Sequence, residues 1–132
     1  KKKKNPFKKK PRLRIKERLK LSKEITKKNK KITIKYFDDE IRSTNTFDLL
    51  LFLKKKTKAK LFFIIGADNL KNFHKWKNWK KIPKLAKIAV FPRNNYSYSS
   101  IATKKLHKND FIYIKSKKIN ISSSLIRKFW IN

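Results

Sequence analysis

Phe62-Phe63-Ile64-Ile65-Gly66-Ala67-Asp68-Asn69-Leu70 is the stretch on which the reading of the chain turns. Aromatic and β-branched residues run without a polar break into a glycine, and an acid follows two positions on. Residues 60–65 therefore read as a short strand, apolar enough to be buried on both faces as in a parallel sheet. Gly66 is the single glycine of the chain, so its backbone freedom is expected to matter at the strand end. In open α/β sheets, ligands sit outside the carboxyl ends of the strands. Asp68 stands at that place. It can accept hydrogen bonds from ribose hydroxyls or merely cap the next helix, and the local pattern leaves both open.

Working outward, residues 67–73 and 79–86 read as short helices, the second interrupted near Pro83. Residues 87–91 form a further strand ended by Pro92, and residues 110–114 another. Upstream, Ile15, Leu19, Ser22 and Ile25 recur at helical spacing, which predicts a helix over 12–28. Ile32, Ile34 and Tyr36 alternate with Thr33 and Lys35, which predicts a strand over 31–37. A polar connection, 38–44, leads to Asn45-Thr46-Phe47-Asp48, a helix start with Asn45 as its cap and an acid three residues on. Residues 94–100 read as a loop and 122–130 as a helix opened by serines. Strands alternating with helices give the class α/β with a parallel sheet. The 132 residues suit one domain, with 1–11 as a basic, Pro-punctuated loop.

Composition narrows the function classes. The formal net charge is +32, and only six of the 40 basic residues are Arg, so Lys carries it. Such a charge attracts polyanions of any sequence. Base-specific contacts favour Arg forks, so the Lys bias, with abundant Asn, Ile and Phe, supports a reading as drift toward AT-rich codons. The absence of Cys excludes disulfides and thiolate-bound zinc and fits a cytoplasmic setting. The longest apolar runs, 49–53 and 61–67, are far short of the roughly 20 residues a membrane span needs. His74 and His107 alone supply no metal site. Asp38-Asp39-Glu40 reads as a solvated turn.

Two further constellations carry chemistry. In Phe73-His74-Lys75-Trp76-Lys77-Asn78-Trp79, indoles at helical spacing alternate with cations. They can present a flat surface to a heteroaromatic ring bearing an anion, or both can be core. In Ile119-Asn120-Ile121-Ser122-Ser123-Ser124-Leu125-Ile126-Arg127, serines open a helix and Arg follows on the next turn. Backbone N–H groups, hydroxyls, the helix dipole and a guanidinium fork would then meet on a phosphate. A plain serine cap is the simpler alternative.

Taken together and in this order, the segments Ile65–Asp68, Phe73–Trp79, Val90-Phe91-Pro92-Arg93 and Ile121–Arg127 resemble the bacterial nicotinate-mononucleotide adenylyltransferases. Asn5-Pro6-Phe7-Lys8 before Glu17-Arg18-Leu19, and Thr46-Phe47-Asp48, add to the likeness. The resemblance implies a Rossmann-like nucleotidyltransferase fold. It implies adenylyl transfer from ATP, with Mg2+, to nicotinate mononucleotide, giving deamido-NAD and pyrophosphate. Carried over by motif, Gly66 and Asp68 would face ATP and its ribose, and Ser123, Ser124 and Arg127 its triphosphate. Trp76 would stack on the nicotinate ring, and Thr46 would help hold that end. Asn45 stands where the family has Tyr, and Ser124 where it has Thr.

The family also opens with a strand and Gly-x-Phe-Asp-Pro-x-His-x-Gly-His, whose histidines meet the ATP phosphates; no such segment is present. With no Met and an opening of Lys1-Lys2-Lys3-Lys4, the chain is expected to be an N-terminally truncated domain. It would then lack the first strand, carry no catalytic histidine and turn over poorly by itself. The rival from another class is a small, basic, non-specific RNA-binding protein. On charge alone, the chain is expected to bind RNA and DNA without sequence preference, with affinity falling steeply as salt rises in an anisotropy titration. Binding that kept its strength at high salt and preferred one sequence would favour the rival.

Overall fold

A computed structural model describes residues 13–117. The basic stretch 1–11, the helix expected over 122–130, and Ser123, Ser124 and Arg127 lie outside the described residues. The elements in order are α1 (Ile15–Thr26), α2 (Thr46–Lys56), β1 (Phe62–Gly66), α3 (Ala67–Leu70), α4 (Ile82–Leu85), β2 (Lys87–Phe91), α5 (Ile101–Lys105) and β3 (Phe111–Tyr113). Single 3-10 turns occupy Phe73–Lys75, Trp79–Lys81 and Lys108–Asp110. The sheet order is β1-β2-β3 and both pairings are parallel, so the α/β class with a parallel sheet is borne out.

Register decides which side chains meet. Phe63 lies opposite Ile88 and Ile65 opposite Val90, while Ile88 also lies opposite Phe111. Side chains alternate along a strand, so these five share one face. Against it pack Leu50 of α2, Leu70 of α3, Phe73, and Ile82 of α4. Phe73, Leu70, Ile82, Ile88 and Val90 are fully buried. In the central strand β2, Ile88 and Val90 are buried on one face and Ala89 on the other, with Phe91 exposed at the strand end. β1 differs: Phe62 and Ile64, on its other face, are 53% and 64% exposed. The expectation of burial on both faces thus fails for β1, which has a paired neighbour on one side only among the described residues.

Local chemistry explains the remaining boundaries. Pro83 sits in the first turn of α4, where a missing N–H costs nothing. The helix expected over 79–86 is therefore a 3-10 turn running into α4 rather than one broken helix. α5 was not expected from the sequence. Its start is a reciprocal cap, with the Thr103 N–H donating to Ser100 Oγ at 3.2 Å and the Ser100 N–H to Thr103 Oγ1 at 2.9 Å. The loop before it turns at Asn95, whose φ is 63°, a conformation Asn tolerates. α1 forms as expected, but Ile25 is 83% exposed. At about 100° per residue, Thr26 falls about 20° from Ile15 and Ile25 about 80° away, so Thr26 completes the inner stripe.

The strand expected over 31–37 is absent; the segment is irregular. Its alternation survives only in part: Ile34 and Tyr36 are half-buried and Thr33 and Lys35 exposed, but Ile32 is exposed as well. A strand also needs a ladder partner, and no described strand pairs with it. The following turn is tied to α2 instead. Phe37 meets Phe52 at 5.2 Å between centroids, and Lys56 Nζ lies 4.3 Å from the Phe52 ring and 2.9 Å from Glu40. No helix among the described residues is long and apolar enough to cross a membrane.

Phe73 is the test of this packing. Phe73→Ala is expected to lower unfolding stability by about 3–5 kcal/mol in a urea titration. Ile25→Ala, at a position that packs on little, should change it by no more than about 0.5 kcal/mol.

Candidate functional site

At the carboxyl ends of β1 and β2, a cleft of about 460 Å³ opens between the strand ends, the start of α2 and the turn that carries Trp76. That volume lies in the range of small-molecule sites, roughly 300–1,000 Å³. Phe63, Ile64, Ile65, Trp76, Phe91 and Pro92 give it apolar walls, while Thr46, Asn69 and Arg93 bring polar groups. Register places the two strand ends side by side, with Gly66 opposite Phe91. The structure thus brings Thr46, Gly66 and Trp76, expected as site residues on sequence grounds, to one cleft.

Trp76 owes its place to a broken helix. The two indoles do not share one helical face, because Trp76 is extended at φ −81° and ψ 150° and Asn78 is left-handed at φ 51°. Both rings pack on buried Phe73, Trp76 at 5.3 Å and Trp79 at 6.3 Å between centroids. Trp76 also meets Phe63 edge-on at 6.0 Å. Its ring is held against the core and still borders the cleft, which suits it to stack on a planar ligand.

Gly66 has φ −83° and ψ 157°, an ordinary extended backbone, so conformational freedom is not its reason. A Cβ at Gly66 would meet only the end of the Asp68 side chain, which folds back over the strand end and is free to turn aside. Asp68 is within the first turn of α3 rather than at its cap, and Gly66 occupies the cap position. That leaves the carboxylate for other work. Its Oδ1 lies 3.9 Å from Arg93 Nε, with the Arg93 side chain 47% exposed, so the contact orients more than it stabilises.

At α2, Asn45 occupies the cap position but makes no capping bond, contrary to expectation. Asp48 instead accepts from Ser43 Oγ at 2.6 Å and from Lys77 Nζ at 3.0 and 3.1 Å, and Asn45 Nδ2 lies 3.4 Å away. Sequence reasoning gave no site role to Asn69, Arg93, Asp48 or Lys77, although Arg93 and Asp48 stand in the quoted motifs. For Arg93 a signal existed, since Pro92 ends a strand just before it. Lys77 and Asp48 are 29 residues apart, and no local pattern links them. Among the described residues, no group of three or more His, Asp or Glu could hold a metal ion.

The Asp48 carboxyl titrates below its ordinary value of 3.8. The Ser43 hydroxyl does most to hold it there, partial burial opposes, and Lys77 and Asn45 add to the lowering. A depressed carboxylate stabilises the fold fully above its unfolded value and loses that contribution as pH falls through the folded one. The stability gap between the parent chain and Asp48→Asn is therefore expected to be constant above about pH 5 and to shrink below 3.8, read from melting temperatures across pH.

A family model described as Cytidylyltransferase-like matches residues 1–129. Three relatives, each named "Probable nicotinate-nucleotide adenylyltransferase", align over most of the chain. The protein of Pelagibacter ubique is 43% identical over 129 residues, 96% of this chain and 72% of the relative. That of Buchnera aphidicola from Schizaphis graminum is 38% identical, covering 93% of this chain and 65% of its own length. That of Fusobacterium nucleatum is 38% identical, covering 83% and 58%. The chain thus spans between 58% and 72% of these relatives' lengths. A parallel sheet with a cleft at its carboxyl edge and a match over nearly every residue lead to one assignment: the chain belongs to the cytidylyltransferase-like family and, within it, groups with the nicotinate-nucleotide adenylyltransferases.

Proposed function

We propose that the chain serves adenylyl transfer from MgATP to nicotinate mononucleotide, yielding deamido-NAD and pyrophosphate. The observation that carries this reading is the meeting of Thr46, Gly66 and Trp76 in one cleft at the strand ends. The names of the relatives support the choice of substrates. Trp76 offers its face to the nicotinate ring. Thr46 and the uncapped start of α2 offer a hydroxyl and N–H groups at the positive end of a helix dipole to the ring's carboxylate. Gly66, which lines the cleft, and Asp68 behind it are assigned to the ATP side by motif. Ser123, Ser124 and Arg127 are assigned to the triphosphate by motif, and Mg2+ arrives with ATP as part of the substrate. The setting proposed is cytoplasmic, which the absence of Cys fits.

The chemistry asks little covalent help from protein. A phosphate oxygen of nicotinate mononucleotide attacks the α-phosphorus of ATP, the bond from that phosphorus to the bridging oxygen breaks, and pyrophosphate leaves with the electron pair. The nucleophile is already anionic, so no general base is required. What the site must supply is alignment of two nucleotides and compensation of their charge. Arg93 offers positive charge at the cleft wall, and Asp68, 3.9 Å from it, is assigned by motif to accept from a ribose hydroxyl.

Pyrophosphate release that requires both substrates together is the direct assay. The residue assignments are tested by calorimetry. Trp76→Ala is expected to weaken nicotinate mononucleotide by about 0.5–1.5 kcal/mol beyond the area lost while leaving ATP unchanged, and Trp76→Phe to recover part of the loss. Equal losses for both ligands would show that Trp76 is a core residue only.

A further inference from the structure

A helix that begins at Thr46 presents first-turn N–H groups with no acceptor inside the helix. Two side chains stand where they could fold back and occupy them, Asn45 at the cap and Asp48 two positions into the first turn. Neither does so. Asn45 Nδ2 donates to Ser43 Oγ at 3.1 Å and points at Asp48 Oδ2 at 3.4 Å. The Asn45 N–H also donates to Ser43 Oγ at 3.1 Å, and the Ser43 hydroxyl donates to Asp48 Oδ2 at 2.6 Å. Lys77 closes the set from another part of the chain, its ammonium within 3.1 Å of both Asp48 oxygens. Thr46, two residues from Asp48, and Trp76, next to Lys77, both line the cleft.

From this arrangement we infer that the Asp48–Lys77 ion pair is a positioning and specificity element, which holds the start of α2 against the Trp76 turn and sets a preference for an anionic over a neutral pyridine nucleotide. The inference rests on the reading of the cleft given above. Its physical basis is twofold. The clamp engages both would-be capping side chains, so the first-turn donors stay available to an incoming carboxylate. It also cancels a charge: left unpaired, the Asp48 carboxylate would repel a ligand carboxylate docking beside Thr46. Lys77 contacts both carboxylate oxygens and removes that penalty. A neutral carboxamide at the same place would feel neither the repulsion nor its relief.

The test uses the full 132-residue chain. Nicotinate mononucleotide and nicotinamide mononucleotide are each titrated by calorimetry into the parent chain, Lys77→Met, Lys77→Arg and the double variant Asp48→Asn with Lys77→Met. Lys77→Met is expected to weaken the nicotinate ligand about tenfold, as one uncompensated charge across a partly solvated gap would, and the nicotinamide ligand less than about twofold by the same reasoning. Lys77→Arg should keep the parent's preference. The double variant, with no carboxylate left to repel the ligand, should regain most of the nicotinate affinity. An unchanged ratio of the two affinities in Lys77→Met, whether both stay or both fall together, overturns the inference, because a merely structural clamp would act on the two ligands alike. Failure of the parent chain to bind either nucleotide overturns the reading of the cleft, and the inference falls with it.

Discussion

The backbone ladder between β1 and β2 is the constraint on which the rest depends. Its register runs from Phe62 opposite Lys87 to Gly66 opposite Phe91, so both strands end at one level. A slip of one residue would turn Ile88 and Val90 out of the core. Those two side chains are fully buried, so the slip is strongly opposed. Because the register holds, the groups that follow each strand fall together. Asp68 comes two residues after the end of β1 and Arg93 two residues after the end of β2, and their charged atoms approach to 3.9 Å. The cleft is a consequence of equal strand endings.

The second wall depends on Phe73. It is buried completely under two indoles, and those contacts aim Trp76. The chain reverses there within a few residues, through an extended Trp76 and a left-handed Asn78, and Lys77 emerges between them toward α2. Packing of an aromatic core residue and orientation of a polar clamp are thus one structural event. Moving Phe73 would move both.

Charge has an unusual meaning in this chain. Against 40 cations there are 8 carboxylates, so an acid that survives in such a composition has many possible partners. Two of the eight stand beside the cleft, each with a cation: Asp48 with Lys77 and Asp68 with Arg93. Glu40 serves elsewhere, with Lys56, in a pair exposed on both sides and of little energetic weight. The excess positive charge favours anionic ligands at long range, while the paired carboxylates decide the local field. Ligands carrying phosphate suit the first property. Discrimination among them has to come from the second.

Much is legible in the sequence itself. The apolar run into Gly66, and the run 87–91 into Pro92, are strands because β-branched and aromatic side chains fit a pleated, buried surface and Pro92 ends the ladder. The order of motifs led to the family, and Thr46, Gly66 and Trp76 do meet at the strand ends. These readings succeeded because they rest on local propensity and short-range spacing, which a linear pattern records. Tertiary structure alone decided the rest. Residues 31–37 alternate as a strand should, yet strand formation requires a neighbour, and pairing is not written in one segment. Gly66 was expected to need its backbone freedom, yet the folded chain holds it in an ordinary extended conformation. Asn45 has the chemistry of a cap, but its amide turns to Ser43 and Asp48, and Asp48 is itself held by Lys77, 29 residues on. A side chain with several possible partners takes the set that packing presents to it, and only the folded chain specifies that set.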